Sequence, residues 1–115
     1  MHEVSIAEGI VEVVTHAARR AEVTALKEVR VAVGELSGVE IEALRFAFES
    51  VKKGTVAERA ALVIERPEGT GWCMRCGKNV PLHRLADPCP LCGGYEVIAS
   101  RGREMRVIDM VPEDD

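Results

Sequence analysis

Residues 73–92 read CMRCGKNVPLHRLADPCPLC, and this stretch holds all four cysteines of the chain. They form two Cys-x-x-Cys pairs, Cys73 with Cys76 and Cys89 with Cys92, separated by twelve residues. Each pair places two thiolates on one tight turn, and two facing turns supply the four sulfurs that tetrahedral Zn²⁺ takes at about 2.3 Å. Because four protein ligands leave no open position on the metal, the pattern predicts a structural zinc site rather than a catalytic one.

Two alternatives use the same cysteines. Two disulfides would require an oxidising compartment, but the N-terminal segment has no basic region and its apolar positions are interrupted by Glu8, Gly9 and Glu12, unlike a secretory signal. We therefore expect a cytoplasmic protein with reduced thiols. A rubredoxin-like iron site also takes four thiolates, and the spacing does not separate it from zinc. An iron electron carrier stays open as an alternative function.

Length and composition limit the class of protein. The chain has 115 residues, of which 47% are hydrophobic and 30% charged, which is typical of one globular domain. No apolar run approaches the ~20 residues that cross a bilayer, so we expect no membrane association. The net charge of −4 gives no general support for nucleic-acid binding.

Apolar residues at helical spacing predict two helices before the cysteines. The first is expected from about Ile6 to Ala21, with Ser5 as the N-cap residue of a capping box. Ser37 starts a second capping box with Glu40 three residues later, and Gly54 is expected to end that helix.

Alternating or β-branched residues predict several short strands. These are Val29–Val33, Ala61–Glu65, Tyr95–Ala99 and Arg103–Asp109. Two amphipathic helices need an apolar surface to cover, and a small sheet is the simplest one. We therefore expect an α+β fold in which two helices pack on one face of a small mixed sheet of about three strands. A zinc-ribbon-like lobe is expected to be inserted before the last strand.

The cysteine stretch divides the chain into two functional parts. We expect residues 1–69 and 95–115 to form an α/β core and residues 70–94 to form the zinc lobe. The surroundings of the lobe are locally basic, which favours a nucleic-acid-binding zinc ribbon as a further alternative. Against it, Trp72 and Tyr95 are the only aromatic residues there that could stack on bases, and the whole chain is acidic. The basic residues are Arg75, Lys78, Arg84, Arg101, Arg103 and Arg106.

The first three residues, Met1, His2 and Glu3, form a second candidate metal site. The Met1 amine, the His2 backbone nitrogen and the His2 imidazole can close two fused chelate rings, and Glu3 can add a donor. Nitrogen donors in a tetragonal arrangement suit Ni²⁺ or Cu²⁺. A histidine near a chain end is more often simply solvated, and this is the expectation for His16, which lies opposite the apolar stripe of the first helix.

Several motifs spread over nearly the whole chain together resemble the HypA family of nickel metallochaperones. They are Met1-His-Glu3, Val31-Ala-Val-Gly-Glu-Leu-Ser37, Phe46-Ala-Phe-Glu49, the two cysteine pairs with the glycine that follows Cys92, and Gly102-Arg-Glu-Met-Arg-Val107. The resemblance implies a protein of [NiFe]-hydrogenase maturation that holds nickel at its N-terminus. His2 would be the principal nickel ligand and Glu3 a supporting one. The four cysteines would hold structural Zn²⁺.

The resemblance also points to two further residues, Glu40 and His83. Glu40 would present a carboxylate to the nickel, although a purely structural role in the Ser37 capping box explains it equally well. His83 lies between the cysteine pairs, where four thiolates are already present. We therefore expect His83 to be a surface residue or to support a ligand rather than to bind the metal.

The partners implied by the resemblance are the hydrogenase large subunit and the nickel-handling GTPase of the same pathway. The chain has no Gly-x-x-x-x-Gly-Lys-Ser/Thr loop, so it is not that GTPase itself. It also shows no nucleophile with a matching base, and we expect no enzymatic activity. A homodimer that shares one nickel ion and a role in urease maturation stay open.

Overall fold

The protein was analysed as a computed structural model that describes residues 2–113. Over these residues the chain forms two helices and six strands. In chain order they are α1 (Glu3–Arg20), β1 (Leu26–Val33), α2 (Ile41–Val51), β2 (Ala61–Glu65), β3 (Thr70–Cys73), β4 (Lys78–Pro81), β5 (Val97–Arg101) and β6 (Met105–Pro112).

The chain folds into two compact units. The first, called here the helical unit, takes the described residues up to Val31, then Val39–Ile64, and those from Val107 onward. The second, called the cysteine unit, consists of Ala32–Gly38 and Glu65–Arg106.

The helical unit is built around α1 and α2, which pack against each other. Their buried faces carry Ile10 and Val14 from α1 and Leu44 and Phe48 from α2, each at most 2% exposed. These positions recur every three or four residues, as expected for one face of a helix. Neither of the described helices has the length and apolar character needed to span a membrane.

The strands form two sheets of three strands each. The first has the order β2-β1-β6 and the second the order β4-β3-β5. In the second sheet β3 pairs antiparallel with both neighbours, so that Cys73 lies opposite Lys78 and Val97. Since β3, β4 and β5 precede β6 in the chain, the cysteine region is inserted before the last strand of the first sheet. The predicted α+β fold with an inserted lobe is confirmed.

The segment after β1 is held in the cysteine unit by close backbone contacts. The Gly34 N–H donates to the Glu104 carbonyl at 2.7 Å, and the Leu36 N–H donates to the Gly102 carbonyl at 2.6 Å. A Cβ atom on Gly34 would lie only 2.0 Å from the Gly102 carbonyl oxygen. The two chain segments can therefore approach this closely only because residue 34 has no side chain.

Both predicted helix starts are wrong. Helix α1 begins at Glu3 with His2 at the N-cap position, so Ser5 lies inside the helix and does not cap it. Helix α2 begins at Ile41 with Glu40 at the N-cap, and Gly38, at φ 78°, separates the Ser37 turn from the helix. In neither helix does the N-cap side chain make a capping hydrogen bond.

The strand predictions were incomplete. Strands β3 and β4 were not predicted, because each has only four residues. Gly71 in β3 and Pro81 in β4 also weaken the strand pattern. Strands β5 and β6 were predicted, but each begins two residues later than expected.

Candidate metal centres

The four cysteine sulfurs form one cluster in the cysteine unit. The Sγ atoms of Cys73 and Cys92 are 3.7 Å apart, those of Cys76 and Cys89 are 3.9 Å apart, and all four lie within 4.8 Å of one another. Four sulfurs bound tetrahedrally at about 2.3 Å from one Zn²⁺ are about 3.8 Å from each other. A disulfide would bring two sulfurs to about 2.05 Å. The four thiols are free, and their arrangement fits a single metal ion.

Each cysteine pair lies on a turn whose backbone N–H groups point at sulfur. The Cys76 N–H donates to Cys73 Sγ at 3.4 Å, and the Leu91 N–H donates to Cys89 Sγ at 3.3 Å. The Gly94 N–H makes the same bond to Cys92 Sγ at 3.4 Å. These donors stabilise negative charge on the sulfurs, which a metal-bound thiolate carries.

Glycine closes both turns in the left-handed backbone region. Gly77 has φ 65° and donates its N–H to the Cys73 carbonyl, while Gly93 has φ 74° and donates to the Cys89 carbonyl, each at 2.8 Å. Other residues adopt this conformation only with strain. The glycine after each cysteine pair therefore allows both turns to face the same point.

Neighbouring groups shift the pKa values of two of the thiols in opposite directions. The backbone N–H groups of Cys92 and Leu91 lower the pKa of Cys89 to about 7. The neighbouring thiol of Cys73, together with partial burial, raises the pKa of Cys76 to about 12. A divalent cation among the four sulfurs would favour the thiolate form of all of them. A donor set made only of sulfur suits zinc or iron rather than a hard cation such as Mg²⁺.

The cluster lies partly at the surface. Cys73 and Cys89 are at most 2% exposed and pack with Val80, whereas Cys92 is exposed. His83, which lies between the pairs in sequence, is not part of the cluster in the described residues. Its Nδ1 atom lies 2.9 Å from the Glu35 carboxylate instead.

Glu35 was not singled out by the sequence reasoning. Its carboxylate accepts a hydrogen bond from the Gly69 N–H at 2.8 Å and pairs with His83. The Gly69 N–H, followed by His83, lowers the pKa of this carboxyl group below its ordinary value. Its role is to fix the segment after β1 within the cysteine unit, and no local sequence pattern indicated it.

The second candidate site lies at the start of α1. Glu3 is the one buried charged residue among the described residues, with 8% of its side chain exposed. Its carboxylate accepts a hydrogen bond from the Glu40 backbone N–H at 3.0 Å. The imidazole of His2 is 68% exposed, and its Nε2 atom lies 3.8 Å from Glu3 Oε2. An imidazole, a buried carboxylate and the N-cap of α2 are therefore neighbours.

The Glu3 carboxylate is strongly acidic. A hydrogen bond with the amino terminus and then the Glu40 N–H lower the pKa of Glu3 to about 2. It is therefore ionised throughout the physiological range. An ionised carboxylate beside a solvent-accessible imidazole can supply one oxygen and one nitrogen donor to a borderline divalent cation such as Ni²⁺.

The predicted nickel ligands have different positions in the structure. His2 and Glu3 adjoin each other, and the backbone of Glu40 contacts Glu3. The Glu40 side chain is exposed, and Glu40 is itself the N-cap residue of α2, so the alternative role as the acid at position N3 of a capping box begun by Ser37 is wrong. Met1 lies outside the described residues. The contact between Glu3 and Glu40 joins residues 37 positions apart, which no local pattern could have revealed.

Residues 1–111 match the family described as hydrogenase/urease nickel incorporation, metallochaperone, HypA. The hydrogenase maturation factor HypA of Cupriavidus necator is 45% identical over 114 residues, which cover 99% of this chain and 96% of that protein. The factor of the same name from Azoarcus sp. is 46% identical over 114 residues, which cover 99% of this chain and all of that protein.

Solved structures agree on the fold. The solution structure of the Ni metallochaperone HypA from Helicobacter pylori matches with a TM-score of 0.69 and 24% identity, over the full length of both chains. A second solution structure of a HypA protein matches with a TM-score of 0.71 over 98% of this chain and 97% of the other. With the family match and the identity to the curated relatives, the chain belongs to the HypA family, whose members are nickel metallochaperones of hydrogenase maturation and not enzymes.

Proposed function

We propose that this protein binds Ni²⁺ at its N-terminus and delivers it in the cytoplasm during [NiFe]-hydrogenase maturation. The donors are the Met1 amine, the His2 nitrogens, the Glu3 carboxylate and the Glu40 carboxylate. Nickel is the cargo in this proposal, and Zn²⁺ at the four cysteines is a resident structural ion. Functionally, residues 1–69 and 95–115 form the nickel-binding core and residues 70–94 the zinc lobe.

The observation that carries the nickel proposal is the buried, ionised carboxylate of Glu3 next to the exposed imidazole of His2. Burying a charged carboxylate is costly unless it is paired or hydrogen-bonded. The Glu40 N–H and the amino terminus stabilise the ionised form of this carboxylate, which is the form that binds a cation. Because α1 starts here, the positive end of its dipole disfavours a bare cation, so an anionic ligand in the site is required.

Release of nickel depends on how far the donors are exposed. His2 is largely exposed and lies at the N-cap of α1, so its bonds to nickel can be exchanged one at a time without unfolding the helical unit. By contrast, Cys73 and Cys89 are fully buried, and Cys73 lies in β3, which pairs with β4 and β5. The exposed N-terminal donors suit an ion that is passed on, and the buried cysteines suit an ion that stays bound.

The partners in this proposal are the hydrogenase large subunit, which receives nickel, and the nickel-handling GTPase of the pathway. The names of the curated relatives, hydrogenase maturation factors, support the first. The GTPase comes from the family resemblance, and this chain, which has no Gly-x-x-x-x-Gly-Lys-Ser/Thr loop, is not that GTPase itself. The family description also includes urease, so urease maturation is a second destination to test.

The decisive experiment is nickel binding by untagged protein that begins at an unmodified Met1. Isothermal titration of His2→Ala is expected to show loss of nickel binding, while the zinc content and circular dichroism spectrum stay unchanged. His16→Ala is the matched control, since His16 is an exposed histidine on the same helix. Normal nickel binding by the His2 variant would refute the assigned site.

X-ray absorption on the same protein identifies the atoms around each metal. Nickel is expected among nitrogen and oxygen donors, and zinc among four sulfurs at about 2.3 Å. Nickel found among the sulfurs, or iron at the cysteines in place of zinc, would overturn the proposed division between cargo and structural ion.

A further inference from the structure

The four clustered cysteines differ in how far solvent reaches their sulfurs. Cys73 and Cys89 are at most 2% exposed and Cys76 is partly buried, whereas Cys92 is exposed. Because a reagent dissolved in water meets the exposed sulfur first, Cys92 is the thiol of this cluster that is open to chemical attack.

The chain after Cys92 leaves its sulfur uncovered. The two residues that follow, Gly93 and Gly94, have no side chains. A Cβ atom on Gly94 would lie 3.4 Å from Cys92 Sγ, so a side chain at this position would shield part of the sulfur. The absence of that side chain keeps one side of the cluster accessible.

An arginine lies beside the exposed sulfur. The same Cβ atom on Gly94 would lie 3.2 Å from Nη1 of Arg75, so the guanidinium group and Cys92 Sγ border one glycine. Reactive cysteines are found in partly exposed, electropositive surroundings of this kind. Exposure and charge therefore distinguish Cys92 from the two buried cysteines.

A second sulfur lies close enough to react with the first. Cys73 Sγ is 3.7 Å from Cys92 Sγ, and a disulfide would bring the two atoms to about 2.05 Å. Cys73 is held in β3, which pairs on both sides, whereas Cys92 lies in a turn. Movement of the turn alone would bring the two sulfurs together. An exposed thiol next to a second, resolving thiol is the usual arrangement of redox-sensing cysteines.

We propose that Cys92 is a site of oxidation by hydrogen peroxide, with Arg75 beside the attacked sulfur and Cys73 as the thiol that closes a disulfide. In the first step the Cys92 thiolate attacks one oxygen of peroxide, the O–O bond breaks and hydroxide leaves. Cys92 becomes a sulfenic acid, and peroxide is reduced by two electrons. In the second step the Cys73 thiolate attacks the Cys92 sulfur, an S–S bond forms and a second hydroxide leaves.

Arg75 assists because negative charge develops on the oxygen that leaves in both steps. A guanidinium group beside the sulfur is a hydrogen-bond donor and a cation at the place where this charge appears. Donors positioned in advance toward a developing charge lower the barrier of the reaction. Arg75 therefore acts on the rate of oxidation and is not itself changed.

The disulfide has a consequence for the metal, which rests on the proposed zinc ion, whereas the thiol chemistry does not. Oxidation would leave only Cys76 and Cys89 as thiolates, and a structural zinc site needs four protein ligands. Zinc would therefore leave as the disulfide forms. Disulfides in a reducing compartment are mostly transient and redox-sensing, so reduction of the bond would restore the site.

The test exposes the untagged, zinc-loaded full chain to hydrogen peroxide. A chromogenic chelator follows zinc release, and mass spectrometry of a tryptic digest locates the disulfide after free thiols are blocked. Trypsin cuts after Arg75 and Lys78, so Cys73 and Cys76 fall in different peptides, and fragmentation separates Cys89 from Cys92. We expect a link between Cys73 and Cys92 that forms in step with zinc release and is reversed by dithiothreitol with added zinc. A first disulfide within either Cys-x-x-Cys pair, or four thiols that peroxide leaves intact, would refute the proposal.

A trapping experiment tests the order of the two steps. Dimedone reacts with sulfenic acids and is expected to label Cys92 before the other cysteines during exposure to peroxide. The first label on Cys73, Cys76 or Cys89 would overturn the assignment of Cys92 as the attacked thiol.

Arg75→Gln is expected to slow disulfide formation about threefold, which is the size expected for loss of one nearby charge screened by water. Arg84→Gln is the matched control, because Arg84 is an exposed arginine between the cysteine pairs and is not among the nearest neighbours of Gly94. Zinc analysis before oxidation checks that both variants hold the metal. Equal rates for the Arg75 variant and the unaltered chain would refute the role given to Arg75.

Metal-free protein separates the two possible failures. Absence of zinc from the untreated chain would contradict the proposed structural ion, but the same digest would still show whether peroxide joins Cys73 to Cys92. A disulfide between other cysteines in that sample would refute the oxidation site whatever the metal content.

Discussion

The Glu3 carboxylate accepts a hydrogen bond from the backbone N–H of Glu40 at 3.0 Å, and this bond joins the first residue of α1 to the N-cap of α2. An N-cap residue normally satisfies a nearby N–H group with its own side chain. Here the side chain of another helix supplies an acceptor, and the Glu40 side chain makes no capping bond. The backbone of Glu40 thus has a structural role, while its carboxylate is available for another one.

Glu40→Gln separates these two roles, because it removes the charge and keeps the backbone N–H that bonds to Glu3. We expect weaker nickel binding and a free energy of unfolding changed by less than about 0.5 kcal/mol, as is usual for exposed positions. Titration and urea unfolding measure the two quantities. Glu42→Gln, an exposed acid in the first turn of the same helix, is the control for loss of negative charge. Unchanged nickel affinity in the Glu40 variant would remove Glu40 from the nickel site.

The pH dependence of nickel binding should follow its nitrogen donors. Glu3 has a pKa lowered to about 2, so it loses no charge as pH falls from 7 to 5. The reference pKa values of imidazole and α-amino groups are about 6.5 and about 7.7, and each bound proton must leave before nickel binds. We expect the affinity to fall by about tenfold per pH unit for each competing proton. Isothermal titration between pH 5 and 8 would show this, and a flat profile would argue against nitrogen ligation.

Loss of one cysteine should affect the cysteine unit and spare the helical unit. Cys92→Ser leaves three thiolates, so we expect zinc to be lost on dialysis against a chelator and the NMR signals of β3 to β5 to lose dispersion. The helical circular dichroism should persist, because α1 and α2 belong to the other unit. Met74→Ser is the control, since Met74 is 61% exposed within the first cysteine turn and is not a ligand. Full zinc retention by the Cys92 variant would contradict a four-sulfur site.

Two glycine substitutions should have opposite effects on stability. Gly34→Ala would place a Cβ atom 2.0 Å from a backbone oxygen, and we expect destabilisation by about 1–3 kcal/mol, as for other overpacked positions. Gly9→Ala lies within α1 with no atom within 4 Å of the added Cβ, and we expect stabilisation by about 1 kcal/mol from helix propensity. Urea unfolding of both variants checks the signs. An unchanged free energy of unfolding in the Gly34 variant would show that the contact with Gly102 can relax.

The parts of the fold that local patterns encode were predictable. Two Cys-x-x-Cys pairs at this spacing point to a four-sulfur site because the geometry of each turn is set within four residues. The apolar faces of α1 and α2 follow from a period of 3.6 residues. His16, on the polar side of α1, was predicted to be exposed, and this is confirmed.

Features that depend on distant residues were not predictable from the sequence. The Ser5 pattern is a good local helix start, yet α1 begins earlier, where Glu3 gains a bond from Glu40. The short strand β3 exists because it pairs on both sides, which compensates for its weak strand propensity. The apolar cavity beside Glu3 arises from the packing of α1 on α2, which brings Val4 and Phe46 together.

The segment after β1 has a practical consequence for dissecting the molecule. The cysteine unit comprises two separate stretches, and the chain passes between the units after Val31, Gly38, Ile64 and Arg106. A fragment cut from Glu65 to Arg106 would contain every thiol but would lack Leu36 and the Glu35 carboxylate that holds Gly69. Deletion of that fragment would also remove the connection between β2 and β6. Experiments on the cysteine unit therefore require the intact polypeptide with point substitutions, not excised pieces.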